Sequence, residues 1–182
     1  LVPLDDGKFF ADSHAFVSRY GGITTKSKRD GIDYKAAAER GECTISSLES
    51  GVIDYDSVHD FVMKLIGKYD LNVKFLVFDP YKWENLVDRF KLPQLQLTQS
   101  YKNLSIPIGT FKEQLITGNI LHTNNQMLAY NAGNAILKYN FNGQALLDKT
   151  RKQNKIDCLA ALMDAWAAGY DYFTKREEQK RT

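Results

Sequence analysis

Only two cysteines, Cys43 and Cys158, occur in the 182 residues, so no disulfide framework can staple this fold. That usage fits a reducing compartment. His14, His59 and His122 lie far apart, and no Cys/His cluster has the spacing of a zinc site. No apolar run is long enough to cross a bilayer, and the first residues do not read as a signal peptide. An excess of one charge is missing too: 24 Lys and Arg against 22 Asp and Glu leave +2, too little to argue for nucleic acid. There is no Gly-rich phosphate loop and no internal repeat. What is present is ordinary, 43% hydrophobic and 25% charged residues in a length that suits one domain. The first residue is Leu1 rather than Met, and the chain is expected to be a piece of something longer.

The pattern along the chain predicts alternating strands and helices. Gly7 to Ser18 alternates and reads as a strand entered through the turn at Asp5-Asp6-Gly7. Lys26, Lys28, Arg29 and Asp30 sit in a Gly/Ser/Thr-rich segment that reads as an exposed loop. A short helix from about Asp33 to Arg40 stops at Gly41, and Glu42 to Ser46 reads as a strand. Asp54 can cap a helix to about Tyr69, with Val58, Phe61, Val62, Leu65 and Ile66 on its inner face. After a strand ending at Asp79 come a helix near Lys82–Phe90, a strand at Gln94–Gln99 and a helix near Ile108–Thr117. A short strand at Ile120–His122 and a helix from Asn125 to about Lys138 follow. Asn142-Gly143 between two apolar runs signals a hairpin, and a last helix runs from about Ile156 to Tyr170. The charged tail, Thr174 to Thr182, reads as disordered. The expectation is a mixed α/β sheet flanked by helices in three layers.

Two acids stand out. The stretch VKFLVFDPY is an apolar run that stops at Asp79, because Pro80 cannot donate to a ladder. Asp79 therefore ends an interior strand, where α/β sheets handle ligands. Asp-Pro also opens turns, and in isolation the turn is the better reading. Asp157 opens the final helix, whose apolar stripe is Ile156, Leu159, Ala160, Met163, Ala167 and Tyr170. A different face carries Asp157, Ala161, Asp164 and Ala168. By itself, Asp157 is a helix-start acid worth roughly 0.3–1 kcal/mol, and Asp164 is plain surface. Ahead of them lie Lys149, Arg151, Lys152 and Lys155, with little apolar content between. Cations beside convergent carboxylates suit phosphate chemistry, since carboxylates hold Mg²⁺ or Mn²⁺ with few other ligands.

The ordered set of motifs resembles the nuclease domain of the large terminase subunit of tailed double-stranded DNA phages. It consists of Val52-Ile53-Asp54-Tyr55-Asp56, Phe78-Asp79-Pro80-Tyr81, Gln99, Leu104-Ser105, Pro107, Lys112-Glu113, Leu121-His122, Asn125, Asn134 and Lys155-Ile156-Asp157. The resemblance runs to about Tyr170 and implies a nuclease domain over residues 1–173, with 174–182 as the tail. It implies a ribonuclease H-like fold lacking its first strand, and a metal-dependent endonuclease that cuts concatemeric DNA during packaging. It also implies Mg²⁺ or Mn²⁺ as cofactor, two ions in the intact domain. Asp79 and Asp157 are then metal and catalytic acids; Asp164, His122 and Asn134 stand behind them. Lys149, Arg151, Lys152, Lys155, Tyr101 and Lys102 are candidates for DNA contact, Tyr101 and Lys102 from a loop. The implied partners are double-stranded DNA, an upstream ATPase domain, a portal and a small terminase subunit, in the cytoplasm of a bacterial host and without a membrane.

Departures from the family pattern carry expectations of their own. The first metal acid of the family belongs to a strand expected upstream of Leu1; Asp12 is the one tempting substitute, and strand alternation makes it a solvent-facing residue. Cys158 stands for a usual glycine and Gln126 for a usual proline. Two other readings stay open: a ribonuclease H-like nuclease of the junction-resolvase or integrase type, and a non-catalytic docking domain.

Overall fold

The computed structural model describes residues 1–80, 86, 88–150 and 155–181, with side chains to residue 174. The helix expected near Lys82–Phe90 falls mostly outside the described residues, as do Tyr81, Arg151 and Lys152.

The alternation at residues 7–18 yields two strands rather than one. β1 (Val2–Pro3) and β2 (Phe9–Phe10) pair antiparallel around a turn that Gly7 permits with φ 78°. The chain leaves this pairing at Asp12, whose carboxylate accepts bonds from Ser13 N (2.8 Å), Thr123 Oγ1 (3.0 Å) and Asn125 Nδ2 (3.0 Å). These side-chain bonds compete with the ladder and end it. β3 (Ala15–Val17) then belongs to another ribbon, parallel to β4 (Cys43–Ile45).

The segment expected as an exposed loop is a helix, α1 (Ile23–Asp30), closed by Gly31 at φ 67°. A tertiary contact fixes its end: Asp30 is buried, and Tyr130 Oη donates to its carbonyl at 2.9 Å. The side-chain caps follow local chemistry. Asp33 opens α2 (Tyr34–Glu39) by accepting from Lys35 N and Ala36 N, and Asp54 opens α3 (Tyr55–Tyr69) the same way. The inner face of α3 is only half-buried.

β5 (Leu76–Phe78) runs parallel to β6 (Gln94–Gln96). The next helix, α4 (Tyr101–Ile116), starts well before the expected Ile108, capped by Ser100. Tyr101 and Lys102 therefore lie in its first turn and not in a loop. Pro107 misled the reading, because an interior proline costs a helix about 3 kcal/mol. Here its neighbours Leu104 and Ile108 are buried in the core, which offsets that loss.

β7 (Ile120–Leu121) pairs parallel with β2, and α5 (Gln126–Gly133) follows under an Asn125 cap. Helix does not continue to Lys138: β8 (Leu137–Tyr139) and β9 (Ala145–Leu147) form the hairpin signalled by Asn142-Gly143. α6 (Asp157–Arg181) closes the chain. It runs through the charged segment read as a disordered tail, since Lys, Arg, Glu and Gln are good helix formers and low apolar content argues only against burial.

One mixed sheet was the expectation; the strands instead form four small sheets among the described residues, one of three strands and three ribbons. α6 joins them. Its Trp166 is fully buried, edge-on to Phe9 and Phe111, stacked on Tyr170, with Nε1 donating to Thr110 Oγ1 at 3.0 Å. A second cluster, around Val17, Tyr34, Ala37, Cys43 and Met127, packs on Cys158 at the start of α6. Among the described residues no helix is long and apolar enough to cross a membrane.

Candidate functional site

Asp79 directly follows β5, and Asp157 is the first residue of α6, the two positions their sequence contexts predict. β5 packs against α6. Each acid gathers a different set of neighbours.

Around Asp157 the helix start is held by buried polar groups. Asn131, 1% exposed, accepts from Cys158 N at 3.0 Å and donates to Met127 O at 2.8 Å. Asn134 Nδ2 donates to Lys155 O at 3.4 Å, so this predicted residue acts on the backbone just before Asp157. Asp30 lies on the other side. Its carboxylate accepts from Arg29 Nε (2.7 Å), Arg29 Nη2 (3.1 Å) and Tyr34 Oη (2.9 Å), with Lys155 Nζ at 4.0 Å. Burial alone would raise the Asp30 pKa, but the Arg29 and Tyr34 bonds and the Lys155 charge bring it below the ordinary value. Burial raises the Tyr34 hydroxyl well above its ordinary value; its bond to Asp30 and the Asp30 and Asp157 charges push the same way.

These groups border a cavity of about 770 Å³. Strand β3 lines one side and Leu76 of β5 another; Asp157 and Ala161 of α6 contribute as well, with Asp12 and Lys155. Among the described residues no ladder joins the β3–β4 ribbon to the β5–β6 ribbon. Val62 of the half-buried α3 face also lines this space.

Asp79 has a different partner. Asp164, plain surface by its helix position alone and placed behind the metal acids by the family resemblance, is 5% exposed, because the face it occupies turns into the protein. Its Oδ2 accepts from Gln99 Nε2 at 2.8 Å. Its Oδ1 is buried and has no hydrogen-bond partner among the described residues. Burial pushes the Asp164 pKa up to about 6, and the Asp79 charge adds to the rise; the Gln99 bond and the Lys149 charge pull it back.

The candidates thus fall into two groups: Asp79 with Asp164, Gln99 and Lys149, and Asp157 with Lys155, Asn134, Tyr34 and Asp30. His122 lies in neither, being exposed with Nδ1 accepting from Asn124 N at 3.2 Å. Asp12 is exposed as expected, and it lines the cavity. Tyr101 is half-buried and Lys102 exposed at the N-terminus of α4. Asp30, Tyr34 and Asn131 were missed in sequence, because nothing local distinguishes them from surface or helix residues. Gln99 was seen only as part of a motif.

Both groups offer hard oxygen donors, which suit Mg²⁺ or Mn²⁺ better than softer metals. A buried carboxylate oxygen without a donor calls for a hydrogen-bond donor or a cation. Among the described residues no group of three or more His, Cys, Asp or Glu is placed to hold a metal ion.

Residues 1–170 match the family described as terminase large subunit, endonuclease domain. The terminase large subunit of Enterobacteria phage HK97 is 23% identical over 149 residues, 77% of this chain and 28% of that protein. The crystal structure of the HK97 bacteriophage large terminase aligns with a TM-score of 0.75 at 20% identity, over 91% of this chain and 35% of that one. At that identity the likeness shows the fold alone, and the chain spans about a third or less of these relatives. With a family match running from Leu1 to Tyr170, the chain belongs to the endonuclease-domain family of terminase large subunits.

Proposed function

We propose that this chain is the metal-dependent DNA-cutting domain of a phage packaging terminase, built on a ribonuclease H-like fold. One observation carries the reading: Asp79 ends a strand, Asp157 opens a helix, and that strand packs on that helix.

Asp79 and Asp157 would hold Mg²⁺ or Mn²⁺. When bound, such ions polarise the scissile phosphate and lower the pKa of an attacking water. The protein's own share is to fix these acids before DNA arrives. Asn131 and Asn134 anchor the backbone on either side of Asp157, so that carboxylate needs little reordering to act. Asp30 holds Lys155 beside the helix start, ready to meet a phosphate oxygen. Lys149, Arg151 and Lys152 would add positive charge for contact with the DNA backbone, with Tyr101 and Lys102 as further candidates. These contacts read charge and not sequence. In the cell the substrate would be concatemeric DNA, and the partners an ATPase domain, a portal and a small terminase subunit.

The test is a nicking assay on supercoiled plasmid with Mg²⁺ or Mn²⁺, using the domain with its upstream strand restored. Asp79→Ala and Asp157→Ala should each lower cutting on the order of a hundredfold or more. Full activity in either variant would overturn the reading. Replacing Lys149, Arg151, Lys152 and Lys155 by alanine should reduce the salt dependence of DNA binding, by roughly 0.9 in slope for each lost phosphate contact.

A further inference from the structure

Lys26 lies on α1, in the segment that the sequence alone presents as an exposed loop, yet it is half-buried. Its ammonium donates to the carbonyl of Ser18, just past β3, at 2.8 Å. A partly buried cation held by a neutral carbonyl is incompletely compensated. Burial pushes the Lys26 pKa below its ordinary value; the Asp30 charge pulls it back, and the Arg29 and Lys155 charges lower it further. Asp30 lies one turn on and on the same face of α1, where residues four apart are neighbours. Its carboxylate is already engaged by Tyr34 and by Arg29, whose charge matches its own. Lys155 Nζ approaches that carboxylate at 4.0 Å from the segment before α6. Two lysines from distant parts of the chain thus gather around an acid that is already neutralised.

Ser18, Lys26, Asp30 and Lys155 all line the cavity that Asp157 also lines. An ammonium carries three donors, and one carbonyl engages only one of them. Convergent ammonium groups suit an anion with several oxygens, and lysine serves phosphate as a point charge. We propose that Lys26 and Lys155 together bind one phosphate of the DNA backbone at this cavity. The proposal rests on the reading of this chain as a DNA-cutting domain, and it makes Lys26 a substrate-binding residue. Lys28 provides the contrast: two residues on, it is exposed and lines a different pocket with Ile32 and Lys35.

Binding of a fluorescent DNA duplex to the 182-residue chain, measured by anisotropy over a range of salt, tests this without any cutting. Lys26→Met keeps an unbranched stem and removes the charge. It should weaken binding on the order of tenfold at low salt and lower the salt slope by up to about 0.9. Lys26→Arg should restore both, and Lys28→Met should lose far less. Should Lys26→Met not fold, the unmutated chain still answers, because the Lys26 and Lys155 side-chain NMR signals should shift together as duplex is added. Equal losses in Lys26→Met and Lys28→Met, an unchanged slope in Lys26→Met, or lysine signals that stay in place would overturn the site. Displacement of the duplex by equimolar inorganic phosphate at constant ionic strength would assign the pair to free phosphate and overturn its role in DNA contact. Full cutting by Asp157→Ala with the Lys26 effect intact would instead overturn the metal reading and leave the phosphate site standing.

Discussion

Asp30 and Asp164 are both acids with almost no exposure, yet the protein treats them oppositely. Asp30 is saturated: Arg29 grips both oxygens, Tyr34 donates a third bond, and Lys155 stands nearby. Its pKa is lowered. Among the described residues Asp164 has a single bond, from a neutral amide, and its pKa rises to about 6. The difference is one of supply. A buried carboxylate surrounded by donors is a structural tie between elements, here α1, α2 and the start of α6. One left short of donors is a liability unless something else completes it. Burial alone does not separate the two roles; the partner count does.

The largest effect that can break the comparison is on stability. Asp30→Ala should cost roughly 2–3 kcal/mol, because the buried Tyr34 hydroxyl loses its acceptor and the Lys155 tie is lost. Asp164→Asn in metal-free buffer should change stability by less than about 1 kcal/mol, since it removes a charge that is poorly compensated. Urea unfolding of both variants measures this, and equal losses would mean the two acids are not different in kind.

Acid titration sharpens the same contrast. A lowered folded-state pKa means that the Asp30 contribution is fully present above the ordinary carboxylate value of 3.8 and fades as pH falls through the lowered one. Wild-type protein should therefore lose stability below about pH 4, and Asp30→Asn should flatten that limb. Thermal melts across this range provide the check. An unchanged limb in Asp30→Asn would show that other carboxylates carry the acid sensitivity.

Smaller still is the effect of Gln99→Ala, which leaves Asp164 with no hydrogen bond from a described residue. It should destabilise by about 1 kcal/mol in metal-free buffer and raise the Asp164 pKa further, read from carboxyl NMR shifts. Lys149→Ala should move that pKa the same way by less, because a solvated cation is weakly coupled. A drop in either variant would mean that Gln99 and Lys149 do not stabilise the charged form.

Much of the fold was legible because it depends on neighbours in sequence. Asp33, Asp54 and Asn125 cap their helices through bonds to amides two or three residues on. The β8–β9 hairpin follows from Asn142-Gly143, and the positions of Asp79 and Asp157 follow from Pro80 and from the periodicity of α6. Where local rules failed, distant contacts had overruled them. α1 looks like a loop until Tyr130 and Lys155 bury its end, and α4 runs through Pro107 because the core around Trp166 holds both flanks.

The sequence by itself determined which residues carry charge, where β5 stops, where α2, α3 and α6 begin, and the family to which the order of motifs points. Only the tertiary structure decided the company each acid keeps. Asp30 follows a run of charged residues and Asp164 sits among apolar ones, and neither neighbourhood records which donors will reach the carboxylate. What a carboxylate does depends on the donors within about 3 Å of it. Asp30 finds its donors close by in Arg29 and Tyr34, with the Lys155 charge added from a distant segment, whereas the Asp164 donor, Gln99, comes from 65 residues away, a separation that no local pattern records.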